Sequence, residues 1–174
     1  QAQAIVCNSG TSNVATGEEG IRDAEAMCAA AAKALTEVNT PIKPRDVLVA
    51  STGVIGHRLP MDKVLPGITQ LAPQLKAGKK ADTAAADAIL TTDLVRKSAL
   101  RQITPGKKQV TLGRICKGSG MIAPNMATML AFITTDPAIS PGVLKAALRA
   151  PVRQTFNPVS VDSDQTTSAR ASVL

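Results

Sequence analysis

Few residues in this sequence can do chemistry. It has one histidine, His57, and three cysteines, Cys7, Cys28 and Cys116, with no C-x-x-C spacing. An isolated His and scattered Cys do not make a zinc ligand set, so no metal is expected. His57 alone also makes no Ser–His–Asp arrangement. What remains is a set of hydroxyls beside glycines. Ser51-Thr52-Gly53-Val54-Ile55-Gly56 follows an apolar run. A strand ending in such a small-residue loop can aim backbone N–H groups at one point, which stabilises an oxyanion during acyl transfer. On spacing alone, an ordinary turn explains the segment better. Gly118-Ser119-Gly120 lacks the P-loop pattern, and Ser9, Ser51 and Ser119 lie in no G-x-S-x-G elbow. Asp162 and Asp164, two apart, would share one face of a strand, where structural hydrogen bonds are their expected role.

Ala127-Thr128 is the remaining candidate. A threonine hydroxyl is a weak nucleophile and needs a base, and one base available to it is its own α-amine. That amine exists only after the Ala127–Thr128 peptide bond is cut. The hydroxyl would attack the Ala127 carbonyl, shift the acyl group from nitrogen to oxygen, and leave an ester for water to open. Without further context, a threonine opening an apolar strand is more often simply a β-former.

These groups must be positioned by an alternation of strands and helices. Residues 4 to 7 and 47 to 50 read as short buried strands, each running into a loop of turn residues, Asn8–Asn13 and Ser51–Gly56. Thr16-Gly17-Glu18-Glu19 fits a capping box. Ile21, Ala24, Cys28, Ala31, Leu35 and Val38 then form one helical stripe, with Arg22, Asp23, Lys33 and Glu37 outside it, ended by Asn39 and Pro41. Pro60 opens a second helix, closed by Gly78, and Asp82 is expected to cap a third through Ile89. Residues 98 to 116 read as a hairpin about Thr104-Pro105-Gly106-Lys107. Thr128 to Thr135 reads as an apolar strand, Ser140-Pro141 starts a helix, and Val159-Ser160-Val161 begins a last strand. A hairpin interrupting the strand–helix alternation favours an α+β layered domain.

Composition narrows the classes. The chain has 174 residues, 44% hydrophobic and 19% charged, with only Phe132 and Phe156 as aromatics. Such a chain can fold around an aliphatic core and is not disordered. The net charge of +7 is scattered, and the densest group, Lys76, Lys79 and Lys80, has no aromatic neighbour for base stacking, so no nucleic-acid partner is expected. A solvated surface or a positive site for a carboxylate substrate accounts for the charge. No run is long and apolar enough for a membrane span, and Gln1 to Val6 has no basic n-region of a secretory signal. The cysteines read as small buried hydrophobes in a reducing, cytoplasmic setting.

Taken together, several segments resemble one family. Residues 117 to 136, Lys-Gly-Ser-Gly-Met-Ile-Ala-Pro-Asn-Met-Ala-Thr-Met-Leu-Ala-Phe-Ile-Thr-Thr-Asp, are similar to the signature of the ornithine acetyltransferases, also called glutamate N-acetyltransferases, of arginine biosynthesis. Ser51–Gly56 with Leu59-Pro60 resembles the family's other strong signature. Asn8-Ser9-Gly10, Thr16-Gly17 and Ala88-Ile89-Leu90-Thr91-Thr92-Asp93 fall in the family's order. The chain starts after, and ends before, the family's usual limits, so residues 1–174 are expected to be part of a longer enzyme. Ser163 and Ser168-Ala169 depart from the family's Gly and Asn-Asp.

The resemblance implies a layered αββα-type sandwich similar to the N-terminal-nucleophile fold. It implies self-cleavage at Ala127-Thr128, so that 1–127 belongs to an α-subunit and 128–174 begins a β-subunit in a heteromeric assembly. Thr128 would be the nucleophile and contact substrate, Thr52 and Gly53 the oxyanion pair, and Thr91 and Lys117 substrate-binding positions. The implied reaction carries acetyl from N-acetylornithine to glutamate through an acetyl-threonine, with no cofactor, although acetyl-CoA serves some members as donor. A threonine aminopeptidase or amidase on the same scaffold, or a non-catalytic truncated homologue, is the alternative.

Overall fold

The computed structural model describes residues 2–119, 129–151, 154–155 and 170–173. The chain divides into two compact units, Gln1–Thr91 and Thr92–Leu174.

The first unit opens with β1 (Ala4–Thr11), followed by α1 (Gly17–Glu37) and β2 (Val47–Val54). The two strands are parallel, in register from Ala4↔Val47 to Thr11↔Val54. A parallel pair needs a crossover, and α1 supplies it. Both strands run further than their apolar stretches. The turn residues Asn8-Ser9-Gly10 and the small residues Ser51-Thr52-Gly53 are paired strand, not loop. Small side chains on both strands, with Gly10 opposite Gly53, let the ladder continue past the apolar core.

The start of α1 differs from the expected capping box. Thr16 occupies the N-cap, but its side chain makes no capping bond. Its hydroxyl donates to Asn13 Oδ1 at 2.6 Å, and Asn13 Nδ2 donates to the Gly20 carbonyl at 2.7 Å. The clamp therefore runs from the preceding loop onto the first turn. The far end closes with Asn39 at φ 62°, while the Asn39 and Thr40 N–H groups donate to the Thr36 and Leu35 carbonyls. That is a Schellman ending with asparagine in the left-handed position.

The α1 face carrying Met27, Ala31 and Ala32 packs with Val47, Leu59 and Ile68 into the core of this unit. Two residues depart from the expected stripe. Ile21 is 61% exposed, and Asp23 is buried because Arg58 grips it, Nη2 to Oδ1 at 2.8 Å and Nε to Oδ2 at 3.3 Å. The pair ties the segment after β2 to α1. Ile68 comes from α2 (Met61–Leu71), which Pro60 precedes as expected. Gly78 precedes α3 (Lys79–Ala88) rather than closing α2, and it, not Asp82, stands at the N-cap.

The second unit is a four-stranded sheet ordered β3 (Lys97–Ile103), β4 (Val110–Lys117), β5 (Leu130–Thr135), β6 (Arg170–Val173). β3, β4 and β5 are antiparallel neighbours and β6 joins β5 in parallel. The expected hairpin is present, with Gly106 at φ 68° in its turn. Leu130, Ala131 and Phe132 are buried. α4 (Pro141–Pro151) follows β5, and Ser140 O accepts its first bond, from Leu144 N. The expected strand at Val159–Val161 lies outside the described residues. None of the three cysteines forms a disulfide, and all are only partly buried.

Candidate active site

In the first unit, Thr52 and Gly53 sit near the end of β2. Thr52 is 1% exposed. Gly53 has φ +129°, and a Cβ built there would fall on the carbonyl of Gly10, its register partner. Only glycine fits. The positive φ changes the relation between the peptide planes on either side of the Gly53 Cα, so it acts on the chain beyond Gly53, while the close approach of Gly10 and Gly53 fixes where this strand end lies.

Thr91 is exposed beyond the C-terminal end of α3. Its segment is tied to the same end of the β1–β2 pair. Ser9, the register partner of Thr52, donates its hydroxyl to the Ala88 carbonyl at 2.7 Å. Ser9 thereby tethers β1 to the end of α3. Nearby, Asn8 Nδ2 donates to the Thr11 carbonyl at 2.8 Å and Ser12 N to the Val54 carbonyl at 2.8 Å, which holds the strand ends together.

In the second unit, Lys117 is the last residue of β4 and only 2% exposed. It pairs in register with Leu130, the first residue of β5. The segment joining them carries Ala127 and Thr128, which lie outside the described residues. Asp93 sits beside the same strand end. Its side chain is fully buried, and its Oδ1 accepts from Lys97 Nζ at 2.5 Å and from the Gly118 N–H at 2.8 Å. Burial opposes the charge of this carboxyl. The bonds from Lys97 and Gly118 and the charges of Lys97 and Lys117 outweigh that and hold it below the usual aspartate range. Burial pushes the Cys116 thiol up, although Arg114 and Lys97 pull against it.

Thr52 and Gly53 are thus adjacent on one strand, Thr91 is linked to that strand's partner, and Lys117 stands on the second unit. Sequence reasoning passed over Gly10, Ser9's tethering role, and Asp93. Asp93 ends the Thr91-Thr92-Asp93 run, with Lys97 four residues on, a spacing suited to an ion pair.

The profile of the ArgJ family matches residues 1–174. The chain belongs to the ArgJ family. It is 48% identical over 174 residues to the arginine biosynthesis bifunctional protein ArgJ of Symbiobacterium thermophilum, a match covering 100% of this chain and 42% of that protein. The chain therefore spans about two fifths of the length of such a relative. Among solved structures, the arginine biosynthesis bifunctional protein ArgJ of Bacillus halodurans aligns with a TM-score of 0.62 at 44% identity, covering 71% of this chain and 61% of that one. Ornithine acetyltransferase of Mycobacterium tuberculosis, solved with ornithine bound, aligns at 0.61 and 37% identity, covering 69% and 61%. The α+β fold expected from the sequence is the fold of these ArgJ relatives. Among the described residues, no group of three or more His, Cys, Asp or Glu could hold a metal ion, and no helix is long and apolar enough to cross a membrane.

Proposed function

We propose that this chain is part of an acetyltransferase that moves acetyl from N-acetylornithine to glutamate through an acetyl ester on Thr128. The observation that carries the reading is the match of the whole chain to the ArgJ family, joined to relatives named as bifunctional arginine-biosynthesis proteins and as an ornithine acetyltransferase.

Maturation comes first. Thr128 Oγ attacks the Ala127 carbonyl carbon, the C–N bond breaks, and the acyl group passes to oxygen. Water opens that ester, leaving a carboxylate on Ala127 and a free α-amine on Thr128. Residues 1–127 then belong to an α-subunit and 128 onward to a β-subunit. In turnover, the new amine takes the hydroxyl proton as Oγ attacks the acetyl carbonyl of N-acetylornithine. The N–H donors of Thr52 and Gly53 hold the tetrahedral oxyanion. Its collapse returns the proton to the leaving nitrogen and frees ornithine. The glutamate amine attacks the acetyl ester by the same steps in reverse. Lys117 faces a substrate carboxylate, and Thr91 contributes a further substrate contact. Acetyl-CoA would enter as an alternative donor, its thioester attacked by the same oxygen, with no resident cofactor.

The test uses the full-length protein. The wild type should run as two bands on a denaturing gel, with a new threonine amino terminus, and should exchange acetyl between acetylornithine and glutamate. Thr128→Ala should stay whole and inactive, and Thr128→Ser should retain some cleavage. A Thr128→Ala protein that still splits, or release of free acetate with glutamate ignored, would overturn the reading.

A further inference from the structure

The mechanism above uses Thr91 and Lys117 but leaves Asp93 without a task. Its environment is unlike that of an ordinary surface carboxylate. The side chain is fully buried, and one oxygen serves two donors from different parts of the chain, Lys97 Nζ and the Gly118 N–H. The other oxygen, Oδ2, is buried with no hydrogen-bond partner among the described residues. Lys117 is itself 2% exposed and directly precedes Gly118, whose N–H donates to this carboxyl at 2.8 Å. Buried Lys117 and the half-exposed Lys97 therefore flank a carboxylate whose side chain is shut from water. Removing one member of such a set leaves an uncompensated buried charge.

Position adds to chemistry. Asp93 closes the run that begins at Thr91, and Gly118 is the first residue after β4. The Asp93–Gly118 bond joins the segment entering β3 to the point where the chain leaves β4 toward Ala127–Thr128. Gly118 has φ 149°, a conformation that favours glycine, so the chain turns at the residue whose N–H this bond holds.

We propose that Asp93 is a positioning residue for both halves of the chemistry: its charge keeps Lys117 in place as a buried cation, and its bond to Gly118 fixes the start of the segment that is cut. This rests on the reading that Thr128 cleaves its own chain and then carries acetyl. Asp93 touches neither the scissile bond nor the acetyl group in this account. It acts through Lys117 and Gly118.

The two roles separate by substitution in the full-length protein. Asp93→Asn keeps a carbonyl oxygen for the Gly118 N–H and loses the charge. It should mature within a few-fold of the wild-type rate, and the mature enzyme should show a KM for glutamate raised about 10-fold with kcat nearly unchanged, the signature of lost ground-state and transition-state binding alike. Asp93→Ala loses both functions and should slow the first-order cleavage of folded precursor by about 100-fold, the scale of a small misplacement at a reacting centre. A merely structural aspartate would lower the melting temperature and leave KM and the cleavage rate of folded protein untouched. If Asp93→Ala does not fold, the KM of Asp93→Asn decides alone. The proposal is overturned by an Asp93→Asn enzyme with wild-type KM, or by a folded Asp93→Ala precursor that cleaves at the wild-type rate. Wild type and Thr128→Ala run alongside. A wild type that never cleaves condemns the threonine reading itself, whereas normal wild-type cleavage with indifferent Asp93 variants condemns only this inference.

Discussion

At the scale of single residues, the site is built from positions where one atom more or less changes the outcome. Gly53 is the sharpest case. Its φ of +129° excludes an L side chain, and a Cβ would land on the Gly10 backbone. Gly53→Ala should therefore cost stability by at least about 1–3 kcal/mol from backbone strain, before the clash is counted. It should also impair cleavage in the full-length protein, because the shifted backbone would displace the Thr52 and Gly53 N–H groups proposed to hold the oxyanion. Urea unfolding and the gel read the two effects, and a variant with wild-type stability would refute the strained geometry. Asp93 yields a pH prediction. Its folded pKa lies below the ordinary value of 3.8, so its ionised form stabilises the fold fully above that value. The contribution is lost as pH falls below 3.8 through the lower folded value. Urea midpoints measured from pH 5 down to pH 2 should fall for the wild type and flatten in Asp93→Asn. Equal slopes would mean that the carboxyl gains nothing on folding. The sequence made Thr52, Gly53 and Lys117 conspicuous because they stand in two recognisable runs. It could not show that Asp93 bonds to Gly118, beside Lys117, since that contact is made only when β3 and β4 close their hairpin.

At the scale of elements, the sequence was most readable where a period or a turn residue had no competitor. The Ala31–Leu35 part of the α1 stripe, Pro60 before α2, the hairpin about Gly106 and Ser140 before α4 all fall where spacing put them. It misled where a polar residue had two possible partners. Thr16 fits a capping box by spacing, yet Asn13 takes its hydroxyl. Asp23 reads as solvent-facing until Arg58, thirty-five residues away, reaches it. The ends of β1 and β2 read as loops because turn residues fill them, and only the opposing strand makes them strand. The clamp on α1 is testable. Glycine to alanine inside a helix normally gains about 1 kcal/mol. At Gly20 the new methyl would collide with the Thr16 side chain and lie 2.5 Å from Asn13 Oδ1. Gly20→Ala should therefore destabilise the chain. Replacing Thr16 by glycine in the same chain should remove most of that loss, since it takes away the nearest obstruction. A stabilised Gly20→Ala in chemical denaturation would show that the clamp is not tight.

At the scale of the whole chain, the division at Thr91 and Thr92 carries thermodynamic weight. The first unit gathers Met27, Ala31, Ala32, Val47, Leu59 and Ile68 into a single core, with Ala34, Leu35 and Ala72 as a satellite. Among the described residues of the second unit, the buried apolar side chains are Leu130, Ala131 and Phe132, while Leu94 is 94% exposed and Val95 and Leu100 are also exposed. Apolar burial is the main favourable term in folding, so the second unit should open at a lower denaturant concentration. Each unit carries its own reporter. Burial, helped by Glu25, pushes the Cys28 thiol up in the first unit, and burial does the same to Cys116 in the second. A raised thiol pKa and partial burial make both slow to alkylate while their unit is folded. In residues 1–174 carrying Cys7→Ser, with pulses of alkylating reagent along a urea series, Cys116 should become reactive before Cys28. A separation of the two midpoints would establish unequal units, of the kind expected when stability is not uniform across a structure. Coincident midpoints would mean that the 174 residues unfold as one cooperative body, and that the difference in described apolar burial does not set the order of opening.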